Sequence, residues 1–194
     1  IRNRLIVNEE DPLNKILYNK SLDNIRSLRI FKSVTSEIKE GSDKKLKQID
    51  ILVEEMPTGE ISLAAGVGSS GSTIGGGINE KNFLGKGINL NANLEISQTS
   101  IKGQFIYSKP NFAYTDNTLN TSLASTSTDN TTDFGYKVSE TGFSVGTEFE
   151  QYENLFFSPS ASISIEDLET TSTASANLKK QEGSYSDLYF KYGL

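Results

Sequence analysis

Residues 88–97, INLNANLEIS, alternate apolar and polar side chains without interruption, from Ile88 to Ser97. Successive side chains of a β-strand point to opposite faces, so this pattern predicts a strand with one apolar and one polar face. A strand that crosses a bilayer needs about 9–11 residues, which is also the length of this segment. A soluble β-sandwich would bury the apolar face against a second sheet, whereas an outer-membrane barrel would expose it to lipid.

Alternation of apolar and polar residues recurs in the second part of the chain. It predicts about eight strands there, and hence a mainly β fold. We place them at residues 60–69, 72–80, 88–98, 100–109, 118–128, 134–150, 158–167 and 184–194. The connections 82–87, 110–116 and 152–157 are compact and aromatic, whereas 128–133 and 168–183 are polar, as in a transmembrane barrel. Aromatic residues near the compact turns would form one interfacial girdle, namely Phe83, Phe112, Tyr114, Tyr152, Phe156 and Phe157.

The first part of the chain has a different composition and predicts a small α/β unit. A helix is expected over 14–28, strands over 31–38 and 48–54, and a turn at 41–43. Residues 1–59 hold eleven Lys or Arg and ten Asp or Glu, whereas residues 60–194 hold eight and fifteen. We therefore expect a domain boundary near residues 57–59.

Composition excludes several kinds of chemistry. The chain has no Cys and no His, which removes disulfides, thiolate metal sites and the commonest general base. The acidic second part contains no arginine, and this argues against binding nucleic acid. No apolar run approaches 18 residues, so no transmembrane helix is expected, and the opening IRNRLIV lacks the features of a signal peptide.

Motif matches to catalytic or ligand sites are weak. Residues 66–71 spell GxGxxG, but the glycine-rich segment that follows is a poor helix former, so we interpret the match as a hairpin. Asp129 and Asp133 lack the spacing of an EF-hand and are interpreted as a solvated loop. The neighbours Ser108 and Lys109 face apart on a strand, as do Glu54 and Glu55. The prediction is a protein that is not an enzyme and needs no cofactor or metal.

Several motifs, taken in order, resemble the BamA family of outer-membrane protein assembly factors. The segment 56–59, MPTG, is similar to the junction between a POTRA domain and the first barrel strand of that family. The turn motif N-F-L-G-K-G is similar to a periplasmic turn, and KPNF at 109–112 is similar to the next one. Residues 24–34 resemble a POTRA helix-to-strand passage, although Ile30 replaces the usual glycine. The residues of the turn motif are Asn82, Phe83, Leu84, Gly85 and Gly87.

The resemblance implies a fragment of a larger protein. Residues 1–58 would be most of the barrel-proximal POTRA domain, in the periplasm, and residues 59–194 would be the N-terminal half of a barrel in the bacterial outer membrane. The family's RGF-like loop is absent from this chain, because no Arg-Gly pair occurs in it. The implied partners are unfolded outer-membrane proteins, accessory periplasmic lipoproteins and outer-membrane lipid.

The implied function is assembly and insertion of β-barrel proteins through a loosely closed barrel edge. Glycine weakens side-chain packing between strands, so the first strands should be held loosely. The candidate edge strand carries Glu60, Ser62, Ala64, Gly66 and Gly68 on one face. Three alternatives stay open: a translocator of the same superfamily, in two-partner secretion or autotransporter assembly; a complete eight-stranded barrel; and a soluble β-sandwich binding module.

Overall fold

The computed structural model describes residues 1–43, 46–68 and 71–194, without the side chain of Tyr114. The chain divides into two compact units, Ile1–Thr58 and Gly59–Leu194. The division falls inside the segment where the composition of the sequence changes. Among the described residues, no helix is long and apolar enough to cross a membrane.

The first unit consists of a 3-10 turn at Arg2–Arg4, helix α1 (Lys15–Arg26) and the antiparallel strands β1 (Phe31–Glu40) and β2 (Lys47–Glu55). The side chain of Asn14 caps α1 by accepting hydrogen bonds from the backbone N–H groups of the next turn. Leu22 and Ile25 are buried on one face of the helix, which makes them the core of this small unit. The helix ends before the predicted residue 28, because Arg29 adopts a left-handed backbone with φ of 54°.

One face of the β1–β2 hairpin is polar and solvated. The Lys39 Nζ lies 2.8 Å from Asp50 Oδ2 and 3.3 Å from Glu37 Oε2. The hydrogen bond from Lys39 lowers the pKa of Asp50, and the same bond raises the pKa of Lys39. Because these ion pairs are exposed, they contribute little to the stability of the hairpin.

The second unit is one antiparallel meander. Eight strands follow one another in the order β3 to β8, then β10 and β11, while the short β9 pairs with β8. The strands are β3 (Gly59–Gly68), β4 (Gly71–Phe83), β5 (Ile88–Ser97), β6 (Ser100–Lys109), β7 (Thr118–Asn130), β8 (Tyr136–Tyr152), β9 (Leu155–Phe157), β10 (Ser160–Thr170) and β11 (Gly183–Lys191). Because the described strands of Gly59–Leu194 all belong to one sheet, this unit lacks the two packed sheets of a sandwich.

The connections contain more structure than the sequence predicts. The compact turn expected at 152–157 is a hairpin, in which β9 returns along β8 and Asn154 adopts a φ of 62°. The long polar loop expected at 168–183 is shorter, since β10 continues to Thr170 and a one-turn helix α2 (Ala176–Lys179) follows. The hydroxyl of Ser175 caps α2 by accepting from the backbone of Leu178.

This loop packs against the β7–β8 turn. The backbone N–H of Thr171 donates to the Gly135 carbonyl at 2.7 Å, and Ala174 is buried beside it. A Cβ on Gly135 would lie 2.5 Å from the Ala174 nitrogen, and its φ is 73°. Glycine is therefore required here both for the backbone conformation and for the close approach, which explains why β8 begins at Tyr136 and not at the predicted Phe134.

Candidate functional site

Strand β3 forms a free edge of the sheet. It pairs with β4 from Gly59↔Glu80 to Gly68↔Gly71, and within the described residues nothing pairs with its other side. All ten residues of β3 are exposed. A row of backbone N–H and C=O groups is therefore available to another strand.

The predicted edge residues lie where the sequence placed them. Glu60, Ser62, Ala64, Gly66 and Gly68 alternate along β3 and so share one face of the sheet. Their position on a free edge is a structural observation, whereas their role as a gate remains a prediction.

The intervening residues of β3 form the other, apolar face. Leu63 and Val67 are 86% and 87% exposed, values that few large apolar side chains reach in a water-soluble protein. The register of the sheet extends this face across all eight strands. One row across the apolar face consists of Ile61, Ile78, Ala92, Phe105, Leu123, Phe143, Ile163 and Leu188.

Charged residues are confined to the margins of the apolar face. On the described part of that face they stand only near strand ends, with none between the two margins. Ten residues at a rise of about 3.3 Å, tilted by about 40°, cover roughly 25 Å, the height of the apolar band in outer-membrane barrels. These marginal charges are Glu80 and Lys109 at the end with the compact turns, and Asp129, Lys137, Asp167 and Glu169 at the other.

Two pairs of hydroxyls on the apolar face bond to one another. Ser125 Oγ lies 2.9 Å from Thr141 Oγ1, and Ser127 Oγ lies 3.0 Å from Ser139 Oγ, across β7 and β8. A hydroxyl with a partner costs less to place against apolar surroundings than one without. The pairs therefore keep this part of the face compatible with lipid.

The opposite face is polar and partly charged. Asn93 Nδ2 donates to Asn91 Oδ1 at 2.6 Å, and Lys102 pairs with Glu95 at 3.4 Å. This is the face that would line the interior of a barrel, and Glu60 and Ser62 of β3 belong to it.

Glycines loosen the strand pair at the free edge. No heavy atom lies within 4 Å of a Cβ built on Gly66 or Gly68. On β4 the three consecutive glycines 75–77 remove side chains from both faces at once. A shallow apolar depression of about 520 Å³ results on the apolar face around Gly76. The sequence analysis identified these glycines but not the depression. The depression could have been predicted from the pairing of Leu63 with Gly76, which puts a large side chain beside a position that has none.

The turn motif at 82–87 closes the β4–β5 hairpin through side-chain and backbone bonds. Asn82 Oδ1 accepts from the Gly87 N–H at 2.8 Å, and the Asn82 carbonyl accepts from the Gly85 N–H at 2.9 Å. Leu84, Gly85 and Gly87 have φ values of 56°, 69° and 65°. Glycine adopts such values freely, whereas Leu84 costs about 1–2 kcal/mol. Geometry thus explains the Asn and both glycines of the motif.

The predicted aromatic girdle lies at the end of the sheet that carries the compact turns. Phe83 ends β4, Phe112 lies in the turn after β6, and Phe156 and Phe157 lie on β9. Phe157 packs edge-on against Phe149 with ring centroids 5.7 Å apart, and Tyr152 ends β8 beside them. The side chain of Tyr114 lies outside the described part of the chain. The membrane role of the girdle remains a prediction.

The weak chemical motifs acquire no further support. The GxGxxG segment leads into strand β4 and not into a helix, and Ser69 and Ser70 within it lie outside the described residues. Asp129 Oδ1 accepts from the backbone and hydroxyl of Thr131, as in a simple turn. In the described part of the chain, no three acidic side chains converge to hold a metal ion.

Comparison with known proteins finds similarity to one protein by sequence and to solved structures by fold. No protein-family model matches the chain. A putative outer membrane protein assembly factor of Treponema pallidum (strain Nichols) is 33% identical over an alignment of 110 residues, and the match covers 53% of this chain and 13% of that protein. The chain thus spans about an eighth of the length of this relative.

Solved structures agree on the fold. BamA from Haemophilus ducreyi lacking POTRA domains 1–3 superposes with a TM-score of 0.77 at 20% identity, over 99% of this chain and 39% of BamA. CdiB from Acinetobacter baumannii gives a TM-score of 0.56 at 11% identity, over 97% of this chain and 39% of CdiB. The chain is mainly β, and its antiparallel sheet resembles the barrel region of BamA. The resemblance to outer-membrane protein assembly factors, stated from the motifs, is confirmed by the named relative.

Proposed function

We propose that this chain is part of an outer-membrane protein assembly factor, in which the β3 edge accepts strands of unfolded outer-membrane proteins. The observation that carries the proposal is the combination of a free edge with an uncovered apolar face that is charged only at its margins. Similarity to a named assembly factor supports the same function.

The proposed mechanism is physical and needs no catalytic residue. In hydrocarbon no water can satisfy the unpaired N–H and C=O groups of β3, and each such group costs several kcal/mol. An incoming strand removes that cost by β-augmentation, in which main-chain bonds supply the affinity. Because Gly66 and Gly68 carry no side chain, the edge can pair with strands of many sequences.

The finer assignments belong to the same proposal. The apolar face of Gly59–Leu194 would contact outer-membrane lipid, and its polar face would line the interior of a barrel. The unit Ile1–Thr58 would be a partial POTRA-like domain in the periplasm, where its strand edges can pair with extended substrates or with accessory lipoproteins.

Cross-linking from β3 tests the proposal. A photoreactive amino acid in place of Ala64 in the full-length parent protein should cross-link to outer-membrane proteins during their assembly. Ala124 on β7 offers the matched control, because it is also an exposed alanine of the polar face but lies inside the sheet. Equal cross-linking from both positions, or none from Ala64, would contradict a strand-accepting edge.

A further inference from the structure

Basic and apolar side chains meet at the end of the sheet that carries the compact turns. We call this group the turn-end rim, formed by Phe83, Leu84, Lys86, Lys109 and Phe112. Phe83, Leu84 and Phe112 are 40%, 73% and 42% exposed. The rim borders the apolar face, because Lys109 continues the alternation of Phe105 and Tyr107 on β6.

Two neighbouring strands bring the lysines to this rim. Asn89 pairs with Ser108, so the start of β5 lies beside the end of β6. Lys86 immediately precedes β5 in the 82–87 turn, and its N–H donates to the Phe83 carbonyl at 3.2 Å. Lys109 ends β6. Both lysines therefore lie at the same end of the sheet, next to the margin of the apolar face.

Neither lysine has an anionic partner within the described residues. Lys81, by contrast, pairs with Glu60 at 3.7 Å. Lys109 Nζ lies 5.7 Å from the centroid of the Phe112 ring, a contact that leaves its charge uncompensated. The carboxylate of Glu80 accepts from the Asn82 N–H at 2.7 Å. Although Glu80 lies at the same margin, the rim itself therefore carries two positive charges without an ion pair among the described residues.

Leu84 is held outward at an energetic cost. Its left-handed backbone is one that leucine rarely adopts, and its side chain is 73% exposed at the tip of the turn. Strain at an exposed apolar residue is consistent with a function that the turn alone does not supply. A large apolar side chain next to lysines is the composition that inserts at a membrane interface.

We propose that the turn-end rim binds the phosphate of an anionic phospholipid headgroup. Lys86 and Lys109 contact the phosphate, while Phe83 and Leu84 enter the boundary with the acyl chains. The charge of the two lysines and the continuity of the rim with the apolar face select a lipid as the occupant. The inference rests on the proposed function, since it takes the apolar face to be the face in lipid.

Lipid retention by the full-length parent protein tests this site. Native mass spectrometry in detergent with added phosphatidylglycerol or phosphatidylcholine should show preferential retention of the anionic lipid. Each lysine near an anionic surface contributes about a fivefold gain, so Lys86→Gln with Lys109→Gln should weaken binding of phosphatidylglycerol by about 25-fold. The matched control is Lys179→Gln with Lys180→Gln, at α2, which should leave retention unchanged.

Unchanged retention in the Lys86→Gln, Lys109→Gln variant would overturn the proposal, as would an equal loss in the control. Displacement of the lipid by inorganic phosphate alone would contradict a lipid as the occupant. Lipid retention is measured without a substrate protein. A negative result would therefore contradict the lipid site without bearing on the cross-linking from Ala64, so the two proposals are tested separately.

The depth of residue 84 in the bilayer provides a second test of the proposal. Leu84→Cys in a cysteine-free parent, labelled with a fluorophore and reconstituted into vesicles, should be quenched by lipids brominated near the headgroup end of the acyl chain. Gln104→Cys, on the polar face of β6, should be quenched several-fold less. Equal quenching at both positions would contradict insertion of the turn.

Discussion

Replacing Gly66 and Gly68 together with valine is expected to reduce assembly of outer-membrane proteins by the parent protein several-fold. Valine raises strand propensity by up to about 1 kcal/mol at a position, so the β3–β4 pair should gain about 1–2 kcal/mol. An equilibrium between the open and the closed β3–β4 strand pair would shift by about 5–30-fold toward the closed pair. Levels of folded outer-membrane proteins in cells that depend on the variant give the measurement.

The structure makes this substitution informative because it introduces no clash. Nothing lies within 4 Å of a Cβ at either glycine, and neither has a positive φ. Gly142→Val is the matched control: Gly142 lies on the same polar face inside the sheet, where a Cβ would meet the Ile163 carbonyl oxygen at an ordinary 3.7 Å. Normal levels in the Gly66→Val, Gly68→Val variant, or an equal defect in Gly142→Val, would contradict a gating role for the edge.

Arginine in place of Leu123 is expected to destabilise the protein in a bilayer by about 2–4 kcal/mol, the cost of a cationic side chain near the middle of a lipid-facing strand. Leu123 lies between Phe105 and Phe143 in the central row of the apolar face. The free energy of unfolding of the parent in lipid vesicles, measured by denaturant titration, gives the comparison.

The neighbouring residue provides the control for Leu123. Ala124 is also exposed but points to the opposite, polar face, so Ala124→Arg should change the free energy of unfolding much less. If both substitutions cost the same, or if Leu123→Arg costs nothing, then the apolar face does not contact lipid.

Alternation predicted most of the sheet because each strand keeps one face apolar and the other polar. Strand β6 has the predicted bounds, and β5 ends one residue earlier than predicted. In both strands the side chains alone encode the local structure, so no tertiary information is needed. The turn at 82–87 could also be predicted from the sequence, because glycines occupy two of its three positive-φ positions.

Tertiary context determined the elements that the sequence did not reveal. The loop 171–175 is ordered by its approach to Gly135, which lies 36 residues away from Thr171 in the chain. Strand β9 is three residues long and depends on β8 for its hydrogen bonds, so it has no pattern of its own. The predicted helix extends past the observed end of α1, because the apolar spacing in the sequence continues to Leu28. In the structure the helix stops earlier, since Arg29 adopts a left-handed backbone.

The sequence predicts that the residues of the candidate site form a strand, but it does not predict that this strand lies at a free edge of the sheet. The alternation assigns Glu60, Ser62 and Ala64 to one face, yet only the sheet order shows that β3 has a free side. Likewise, the sequence favoured lipid as the surroundings of the apolar face but left a second sheet open as an alternative. The described strands of Gly59–Leu194 form a single meander, so this unit supplies no second sheet of its own.

The most direct test of the strand-accepting edge is amide hydrogen exchange along β3 in the reconstituted parent protein. Without substrate, residues 59–68 should exchange faster than the interior strands β6 and β7. The proposal takes β3 to be closed only loosely on the side away from β4, whereas β6 and β7 each have two hydrogen-bonded neighbours. Addition of an unfolded outer-membrane protein should slow exchange at the amides of β3 that point away from β4. Exchange in β3 that is already as slow as in β6, or that is unaffected by substrate, would contradict the account.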